Sequence, residues 1–473
     1  MNIYDKLYIN GQWVSPLSGE HHEINNPATG QPCARTPFAG EDDVVLAIKS
    51  ARAAFASWSQ TSARERCDFI NAAADEMERR IDDFTSVVSQ TMGCPAHIAR
   101  DLQIAGSIDA FRSFAQRAAM MEATEEKDGF LIVKEPVGVC TLINPWNYPL
   151  SQLVGKLGPA LAAGCTVVVK PAEQTPLQDF LIAEVLDKIG LPAGAFNLIS
   201  GSGSKLGKVL CGHPDVDMVS FTGSTSAGVK ISEAAASTIK RVCLELGGKS
   251  PYIITEDADL DAAVRYGVED VMLNTGQTCN ALTRMLVPRS RYDQALEIAK
   301  AVAEENVVGD PLSTESTMGP MSSEAQKRTV LGYIEKGIAE GARLLTGGVE
   351  MPEGLSSGAY VKPTIFADVN NDMTIAREEI FGPVLCIIPY GDLDEAVEIA
   401  NDTVFGLSSA VYAQDKNTAL RIARRMRSGQ CFVQGGYFNM DAPFGGYKQS
   451  GNGREWGKEG LAEYVETKAV IGD

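Results

Sequence analysis

The sequence predicts an α/β protein with more than one domain, and three observations support this. Its 473 residues are too many for a single hydrophobic core. From about residue 137, short apolar runs alternate with helical patterns, and the same alternation continues after residue 250. Apolar strands that alternate with helices are typical of a parallel sheet covered on both faces.

The elements follow in order along the chain. Residues 41–119 have a helical pattern, with Ala-rich amphipathic segments at 42–58 and 64–81. Further helices are predicted at 151–164 and 178–190. The strands expected between them are VGVCTLI (137–143), CTVVVK (165–170), FNLIS (196–200), MVSFTG (218–223) and VCLELGG (242–248). A sheet of this kind binds its ligand at the carboxyl ends of the strands.

Residues beyond 250 predict a second α/β domain, with strands TRMLVPR (283–289), PVLCIIPY (383–390) and SSAVYAQ (408–414). Two β-like segments, 121–136 and 461–471, have no evident partner in their own neighbourhood. Unpaired edges invite pairing with another chain, so we expect both to be edge strands that pair with a second subunit.

Composition excludes several classes of function. The net charge of −19 disfavours partners such as nucleic acid and anionic membrane surfaces. No apolar stretch has the length of a membrane span, and the start lacks the pattern of a signal peptide. Ten cysteines without CxxC pairs indicate free thiols in the cytoplasm. Four histidines without metal-ligand spacing predict no metal site.

Cys279 is the candidate nucleophile. It lies in a polar, Gly-containing segment, LNTGQTCNALTR, just before a predicted strand. Cysteines are more often inert and buried, and Cys140, Cys165, Cys243, Cys386 and Cys431 fit that pattern because they lie in apolar strand-like runs. With histidine scarce, any base for Cys279 has to be another residue type.

Two further segments carry groups that acyl chemistry needs. Glu245 ends an apolar strand before two glycines, and partial desolvation there would raise its pKa toward that of a general base. The alternative is a carboxylate satisfied by backbone donors at a strand end. Asn147, in INPWNYP, offers a fixed amide that can stabilise an oxyanion, although Pro-Trp-Asn alone is also a turn signal.

Three segments are candidates for binding a phosphate or a ribose. Residues 218–231 have the strand, glycine turn and helix that place backbone N–H groups against a phosphate, without the GxGxxG spacing. GSGSKLG (201–207) has the spacing GxGxxxG, and we interpret it as a loop without a role in cofactor binding. Lys170 and Glu173 follow a strand and can contact a ribose.

Together these segments resemble the aldehyde dehydrogenase superfamily. The matching motifs, in the family's order, are NPWNYP, TVVVKPAEQTP, FTGSTSAG, LELGGKSP, GQTC, EEIFGP (378–383) and PFGGYKQSGNGRE (443–455). The resemblance implies a Rossmann-like NAD-binding domain (1–119 and 137–247), a second α/β catalytic domain (248–445) and a small β oligomerisation element (120–136 and 458–473). It also implies a homodimer or homotetramer.

The resemblance also implies a role for each matching residue. Cys279 corresponds to the nucleophile, Asn147 with the Cys279 N–H to the oxyanion hole, and Glu245 to the base that activates water. Glu455 corresponds to a second carboxylate near the base. Residues that correspond to cofactor contacts are Asn144, Trp146, Lys170, Glu173, Gly223, Ser224, Leu246, Glu379 and Phe381. Tyr148, Gln152 and Phe438 correspond to the aldehyde tunnel, where ordinary packing is an equally good interpretation.

Two details refine the expected reaction. Glu173 would repel a 2′-phosphate, which favours NAD over NADP. The presence of Glu245 favours a free carboxylic acid as product over a CoA thioester. The competing interpretations are a CoA-acylating semialdehyde dehydrogenase, a catalytically inactive paralogue and a cysteine hydrolase without redox chemistry. The hydrolase would need a histidine partner for Cys279. The aldehyde itself is not specified, although aromatic residues at the tunnel positions suit medium or aliphatic aldehydes.

Overall fold

The computed structural model describes residues 2–122 and 125–472 and confirms the predicted α/β fold. Its strands are β1 Asn2–Ile3, β2 Leu7–Ile9, β3 Gln12–Val14, β4 Glu20–Asn25, β5 Pro32–Phe38, β6 Glu125–Lys127, β7 Phe130–Pro136, β8 Val139–Ile143, β9 Thr166–Lys170, β10 Phe196–Leu198, β11 Met218–Thr222, β12 Arg241–Glu245, β13 Pro251–Ile254, β14 Arg284–Pro288, β15 Arg343–Thr346, β16 Thr364–Ala367, β17 Val384–Tyr390, β18 Ser408–Tyr412, β19 Gln430–Val433, β20 Gly451–Asn452 and β21 Val465–Ile471.

The α-helices between them agree with the predicted helical segments. They are α1 Glu41–Trp58, α2 Ala63–Arg79, α3 Ile81–Met92, α4 Ala96–Ile98, α5 Gly106–Arg117, α6 Pro149–Ala163, α7 Leu177–Lys188, α8 Gly203–Gly212, α9 Thr225–Ala235, α10 Leu260–Met272, α11 Tyr292–Glu304, α12 Glu324–Ala339, α13 Thr374–Arg377, α14 Leu393–Asn401, α15 Lys416–Ala423 and α16 Gly457–Ala462. A capping box starts α2: Ser62 Oγ accepts from the Glu65 N–H, and Glu65 Oε2 accepts from the Ser62 N–H.

The first large sheet contains the five predicted strands before residue 250. Over the described residues its order is β20-β12-β11-β8-β9-β10-β2-β3, with β12 through β10 parallel. Both faces are covered, because Val167 and Val169 lie in one apolar cluster with residues of α6, and Val168 lies in another with residues of α1. Strands β2 and β3, which the sequence pattern did not reveal, add antiparallel strands at one edge.

The second large sheet contains the strands predicted after residue 250. In the part of the chain that the structure describes, its order is β15-β16-β17-β14-β13-β18-β19, and all neighbours are parallel except β15 with β16. Apolar clusters cover it on both sides: Ile253 and Leu286 lie in one, and Tyr252 and Met285 in the other. The alternation of these neighbours between clusters follows the side-chain period of a strand.

The two β-like segments without evident partners pair with each other. Strand β21 runs antiparallel to β7 over seven residues, from Val465 opposite Pro136 to Ile471 opposite Phe130, and β6 flanks β7 on its other side. The prediction that both are edge strands is therefore wrong for β7, which is the central strand because it pairs with both β21 and β6. Its partner β21 lies more than 300 residues away along the chain, so no local sequence pattern indicates the pairing. Among the described residues, no helix is long and apolar enough to cross a membrane.

Candidate active site

Four loops converge where the two large sheets meet. They are residues 144–148 after β8, 246–249 after β12, 273–279 before β14, and 379–383 before β17. Glycines permit the close approach: a Cβ on Gly248 would lie 2.5 Å from the Cys279 carbonyl oxygen, and one on Gly247 would lie 2.3 Å from Glu379 Oε2. Two of these loops, 144–148 and 246–249, lie at the carboxyl ends of β8 and β12, and the sequence analysis predicts ligand binding at such strand ends.

The segment before Cys279 is strained and held by amide side chains. Asn274 and Thr275 have φ of 53° and 57°, the left-handed region that residues with a Cβ seldom occupy. The Asn274 amide donates to the Asn147 carbonyl at 3.1 Å, and the Gln277 amide donates to the Asn274 carbonyl at 3.1 Å. Strain of this kind persists only where the surroundings hold it, and it clusters at functional sites.

Asn147 is buried and lies beside the nucleophile segment. Its Nδ2 donates to the Gln277 carbonyl at 2.9 Å, two residues before Cys279. An amide nitrogen carries two hydrogens, so one N–H remains for a ligand. The neighbouring Tyr148 is joined to the same segment through its hydroxyl, 2.8 Å from Thr278 Oγ1. The structure thus brings Asn147 and the Cys279 segment together, as the sequence predicted.

Glu245 ends β12 and is 2% exposed. Within the described residues neither carboxylate oxygen has a hydrogen-bond partner, so the alternative of a carboxylate satisfied by backbone donors does not hold. Burial raises its pKa well above the usual value, and Glu455 adds to this, while Lys156 and Arg454 oppose it. A buried carboxylate with free lone pairs and a raised pKa has the properties of a general base.

Lys156 is a charged site residue that sequence reasoning missed. It is fully buried, and its Nζ lies 2.8 Å from Glu455 Oε1, although the angles at this contact are not those of a hydrogen bond. The ammonium donates instead to Thr222 Oγ1 at 2.7 Å and to Gln152 Oε1 at 3.2 Å. The signal was a lysine inside the otherwise apolar helix 151–164, because buried lysines are rarely unpaired.

The Cys279 thiol is partly buried and lies among carboxylates. Burial raises its pKa, and the charges of Glu245, Glu379 and Glu455 raise it further. The resting thiol therefore holds its proton, whereas attack on a carbonyl needs a thiolate. All ten cysteines are free thiols, and most of the other nine are buried.

One side of the crevice at the strand ends is formed by Lys170, Glu173 and the start of α8. Lys170 is 4% exposed at the end of β9, and burial lowers its pKa. Glu173 Oε1 accepts from the Gly203 N–H at 2.8 Å, and a Cβ on Gly203 would lie 3.8 Å from Lys170 Nζ. The prediction that residues 201–207 form a loop is wrong for 203–207, which begin α8 beside Lys170 and Glu173, whereas the prediction that they have no role in cofactor binding stays a prediction.

The other cofactor candidates line the same strand ends. Ser224 caps α9 by accepting from the Ala227 N–H at 3.3 Å, and Gly223 donates its N–H to the Glu245 carbonyl at 3.0 Å. Leu246 is buried and packs against Gly228 of α9. The N-terminus of a helix is a favourable place for a phosphate.

The loop before β17 of the second large sheet, residues 379–383, lies on the other side of the crevice. Glu379 Oε1 accepts from the Gly248 N–H at 2.9 Å, and burial raises the pKa of Glu379 to about 7. The Phe381 ring meets the Trp146 ring edge to face, with centroids 5.2 Å apart. Phe381 also has φ of 57°, a strained backbone at a position predicted to contact the cofactor.

The three predicted tunnel residues lie in different surroundings. Gln152 is 7% exposed and bonded to Lys156 and Thr222, which places it in the polar network behind Glu455. Phe438 is 41% exposed and packs edge to face on Phe444 and Trp456, with centroids at 5.7 and 6.0 Å. Phe444 and Glu455 form a two-way backbone bridge, so this aromatic wall lies next to the carboxylates.

The donor set does not resemble a metal centre. In residues 2–122 and 125–472, no group of three or more His, Cys, Asp or Glu side chains is arranged to hold a metal ion. The arrangement instead combines a thiol, an amide donor, a buried free carboxylate and a crevice at the carboxyl ends of parallel strands. It can form a covalent acyl intermediate and hydrolyse it.

Known proteins are similar to this chain over nearly its whole length. The sequence model of the aldehyde dehydrogenase family matches residues 13–470. A 3-succinoylsemialdehyde-pyridine dehydrogenase from Pseudomonas sp is 47% identical over all of this chain and 99% of its own length.

Two solved structures have nearly the same fold. A mutant of aldehyde dehydrogenase C from Pseudomonas syringae, in complex with NAD+ and octanal, has a TM-score of 0.98 at 45% identity and covers 99% of this chain and 96% of its own. Aldehyde dehydrogenase from Mycobacterium tuberculosis, in complex with NAD+, has a TM-score of 0.97 at 42% identity, with 99% and 98% covered. The chain belongs to the aldehyde dehydrogenase family.

Proposed function

We propose that this protein is an NAD-dependent, non-acylating aldehyde dehydrogenase that oxidises an aldehyde to a carboxylic acid. The proposal rests mainly on the Glu245 carboxylate, which is buried and has no hydrogen-bond partner among the described residues. It lies in the same site as Cys279 and the Asn147 amide. A cysteine hydrolase would need a histidine beside Cys279, and none of the four histidines belongs to the converging loops.

In the first half-reaction, the Cys279 thiol loses its proton to solvent, and the Sγ thiolate attacks the aldehyde carbon to form a thiohemiacetal. The negative charge that develops on the carbonyl oxygen is stabilised by the free N–H of Asn147 and the backbone N–H of Cys279. NAD, when bound, brings a positively charged ring that favours the thiolate, and it accepts the hydride released from the aldehyde carbon. The carbon that loses the hydride remains on Cys279 as a thioester.

In the second half-reaction, Glu245 takes a proton from water, and the water oxygen attacks the thioester carbon. The carboxylic acid leaves, and Cys279 is released as a thiolate, which is a good leaving group. Glu245 must then lose the proton that it gained. Glu455, coupled to Glu245 by charge and lying 2.8 Å from Lys156 Nζ, is the group we propose as the next proton acceptor.

The crevice has suitable groups for NAD. Lys170 and Glu173 would hold the adenosine ribose, Gly223 and Ser224 at the start of α9 would face the pyrophosphate, and Leu246 would line the same end. Glu379 with Phe381 would contact the nicotinamide ribose, and Trp146 and Asn144 would form the wall between. The Glu173 carboxylate disfavours a 2′-phosphate, so NADP should bind more weakly.

The aldehyde is expected to be apolar near its reacting end. Phe438, Phe444 and Trp456 form an aromatic wall beside Glu455, and the Tyr148 hydroxyl contacts the nucleophile segment at Thr278 Oγ1. One relative is named for 3-succinoylsemialdehyde-pyridine, and another was solved in complex with octanal. Both aldehydes have apolar parts that suit an aromatic wall. Arg117, on the helix whose Phe114 stacks on Trp456, forms an ion pair with Asp441.

The organisation of the chain follows from the same proposal. Residues 1–119 and 137–247 would bind NAD, 248–445 would form the catalytic domain, and 120–136 with 458–473 would join subunits into a homodimer or homotetramer. Strand β21 supports the last point because its outer edge is left for a partner, with Ile471 83% exposed. Ten free thiols support a reducing compartment, the cytoplasm.

A panel of aldehydes tests the proposal. The purified protein is mixed with NAD or NADP and aldehydes from acetaldehyde to octanal, with and without CoA, and reduced cofactor is followed by its absorbance. We expect turnover with NAD, slower turnover with NADP at equal concentration, and a free acid as product. Absence of turnover with every aldehyde and both cofactors would refute the proposal, and a strict requirement for CoA would favour the acylating alternative.

A further inference from the structure

The first turn of α7 holds the loop that carries Trp146 and Asn147, and we propose that Asp179 is the positioning residue that anchors it. Asp179 is fully buried and belongs to none of the groups that take part in the reaction. The inference rests on the proposed function, because it assigns Trp146 to the cofactor crevice and Asn147 to the oxyanion.

Two chains of hydrogen bonds run from Asp179 to the loop. Asn144 Nδ2, at the start of the loop, donates to Asp179 Oδ1 at 3.2 Å. Gln178 Nε2 donates both to Asp179 Oδ2 and to the Thr175 carbonyl, and Thr175 Oγ1 donates to the Trp146 carbonyl at 3.4 Å. The loop is therefore held at two points, one on each side of Pro145.

The surroundings make these bonds strong. Asn144, Thr175, Gln178 and Asp179 are all 4% exposed or less, so no water competes for the carboxylate. Burial raises the pKa of Asp179 to about 7, whereas the two amide donors and the Lys170 ammonium favour its ionised form. Hydrogen bonds to a buried charged group contribute more than neutral ones.

Both oxygens of Asp179 act as acceptors, and this decides which substitution is informative. In Asp179→Asn the side chain keeps its shape but presents one acceptor and one donor to two amide donors. Asn144 then either loses its partner or turns its amide to accept from the new donor, and in both cases the loop loses the charge-assisted bond that anchors it. The Asn144 main chain is also bonded to the next strand end, since its N–H donates to the Lys170 carbonyl at 3.0 Å.

The test compares NAD affinity with stability in three variants. Asp179→Asn should weaken NAD binding, measured by calorimetry, by about three- to ten-fold, since part of a buried charged hydrogen bond is lost. Asn144→Ala, which also removes a proposed cofactor contact, should weaken it at least as much, and the double variant should be no weaker than Asn144→Ala alone, because the bond between Asn144 and Asp179 is already lost there. The affinity of each is compared with its melting temperature.

Glu76→Gln is the matched control. Glu76, on α2, is a buried carboxylate that binds Lys188 at the far end of α7, so it contacts the same helix but not the loop. We expect it to lower the melting temperature while NAD affinity stays at the wild-type value. If Asp179→Asn does not fold, Thr175→Val removes only the hydroxyl contact to Trp146 and should weaken NAD binding about two- to three-fold.

The outcomes separate the inference from the proposed function. A wild-type protein that does not bind NAD would refute the proposed function itself. A wild type that binds NAD, with variants at Asp179 and Thr175 that bind it equally well, would overturn only the inference. Additive losses in the Asp179→Asn and Asn144→Ala pair would also overturn it, because the residues would then act separately.

Discussion

Replacing Glu245 with glutamine should separate the two half-reactions. Glu245 is 2% exposed, and within the described part of the chain its two carboxylate oxygens have no hydrogen-bond partner. The amide has the same shape but cannot take a proton from water. The site has two other carboxylates: Glu455 lies against the Lys156 ammonium at 2.8 Å, and Glu379 accepts from the Gly248 N–H at 2.9 Å, so both are poorly placed to replace the lost base.

The size of the effect follows from the role. General-base catalysis typically contributes about 10²- to 10⁴-fold, and the complete burial of Glu245 places the expected loss near the middle, at about 10³-fold in steady-state kcat. This corresponds to about 4 kcal/mol of activation free energy. The first hydride transfer uses Cys279 and Asn147 and should slow by less than about ten-fold.

Stability provides the control for this variant. The folded protein raises the pKa of Glu245, so its contribution to stability is fully present at acid pH and is lost as pH rises through that raised pKa. The neutral amide of the variant does not ionise, so the variant does not lose this stability as the pH rises. Glu245→Gln should therefore melt no lower than wild type at pH 8, and misfolding would not explain lost activity.

Rapid mixing with NAD and octanal provides the assay. Glu245→Gln should show a burst of reduced cofactor of about one equivalent per active site, followed by a very slow steady state. The wild-type hydrolysis rate should rise with pH as Glu245 ionises, and that dependence should be absent in the variant. An equal loss of burst rate and steady-state rate would show that Glu245 does not serve the hydrolytic step.

Two further predictions concern groups around Glu245. Lys156→Met should leave the buried Glu455 carboxylate without its cation. We expect the free energy of unfolding, measured by urea denaturation, to fall by about 3 to 5 kcal/mol. A loss below about 1 kcal/mol would show that the pair does not stabilise the fold. Phe438→Ala should raise KM for octanal about five-fold while KM for acetaldehyde stays constant. The reason is that the Phe438 ring is 41% exposed and offers an apolar contact only to a long substrate. Equal changes in KM for both aldehydes would show that Phe438 does not contact the substrate.

The sequence predicted the longer strands of the large sheets because most of their residues are apolar. Strands such as β8 and β9 are buried at every position, and a continuous apolar run is the signal of a strand covered on both faces. In these sheets the strands that were missed are short, with two to four residues each, too few for a period to show; they include β2, β3, β13, β15, β16, β19 and β20. The pairing of β7 with β21 was missed because contacts over such a separation leave no local pattern.

Within the site, residues at strand ends were easier to predict than residues inside helices. Glu245, Lys170 and Asn147 follow apolar runs, where a polar side chain is conspicuous. Lys156 and Asp179 lie within helices, and a charged residue there normally faces solvent. Only the packing of α6 and α7 against the sheet shows that both are fully buried.

The most direct test of the account is the identity of the residue that carries the acyl group. Glu245→Gln is incubated with NAD and octanal, quenched in acid and digested, and the peptides are analysed by mass spectrometry. The account predicts an octanoyl thioester on the peptide that contains Cys279, formed with NAD and absent without it. An acyl group on another of the ten cysteines, or none on Cys279 while reduced cofactor accumulates, would contradict it.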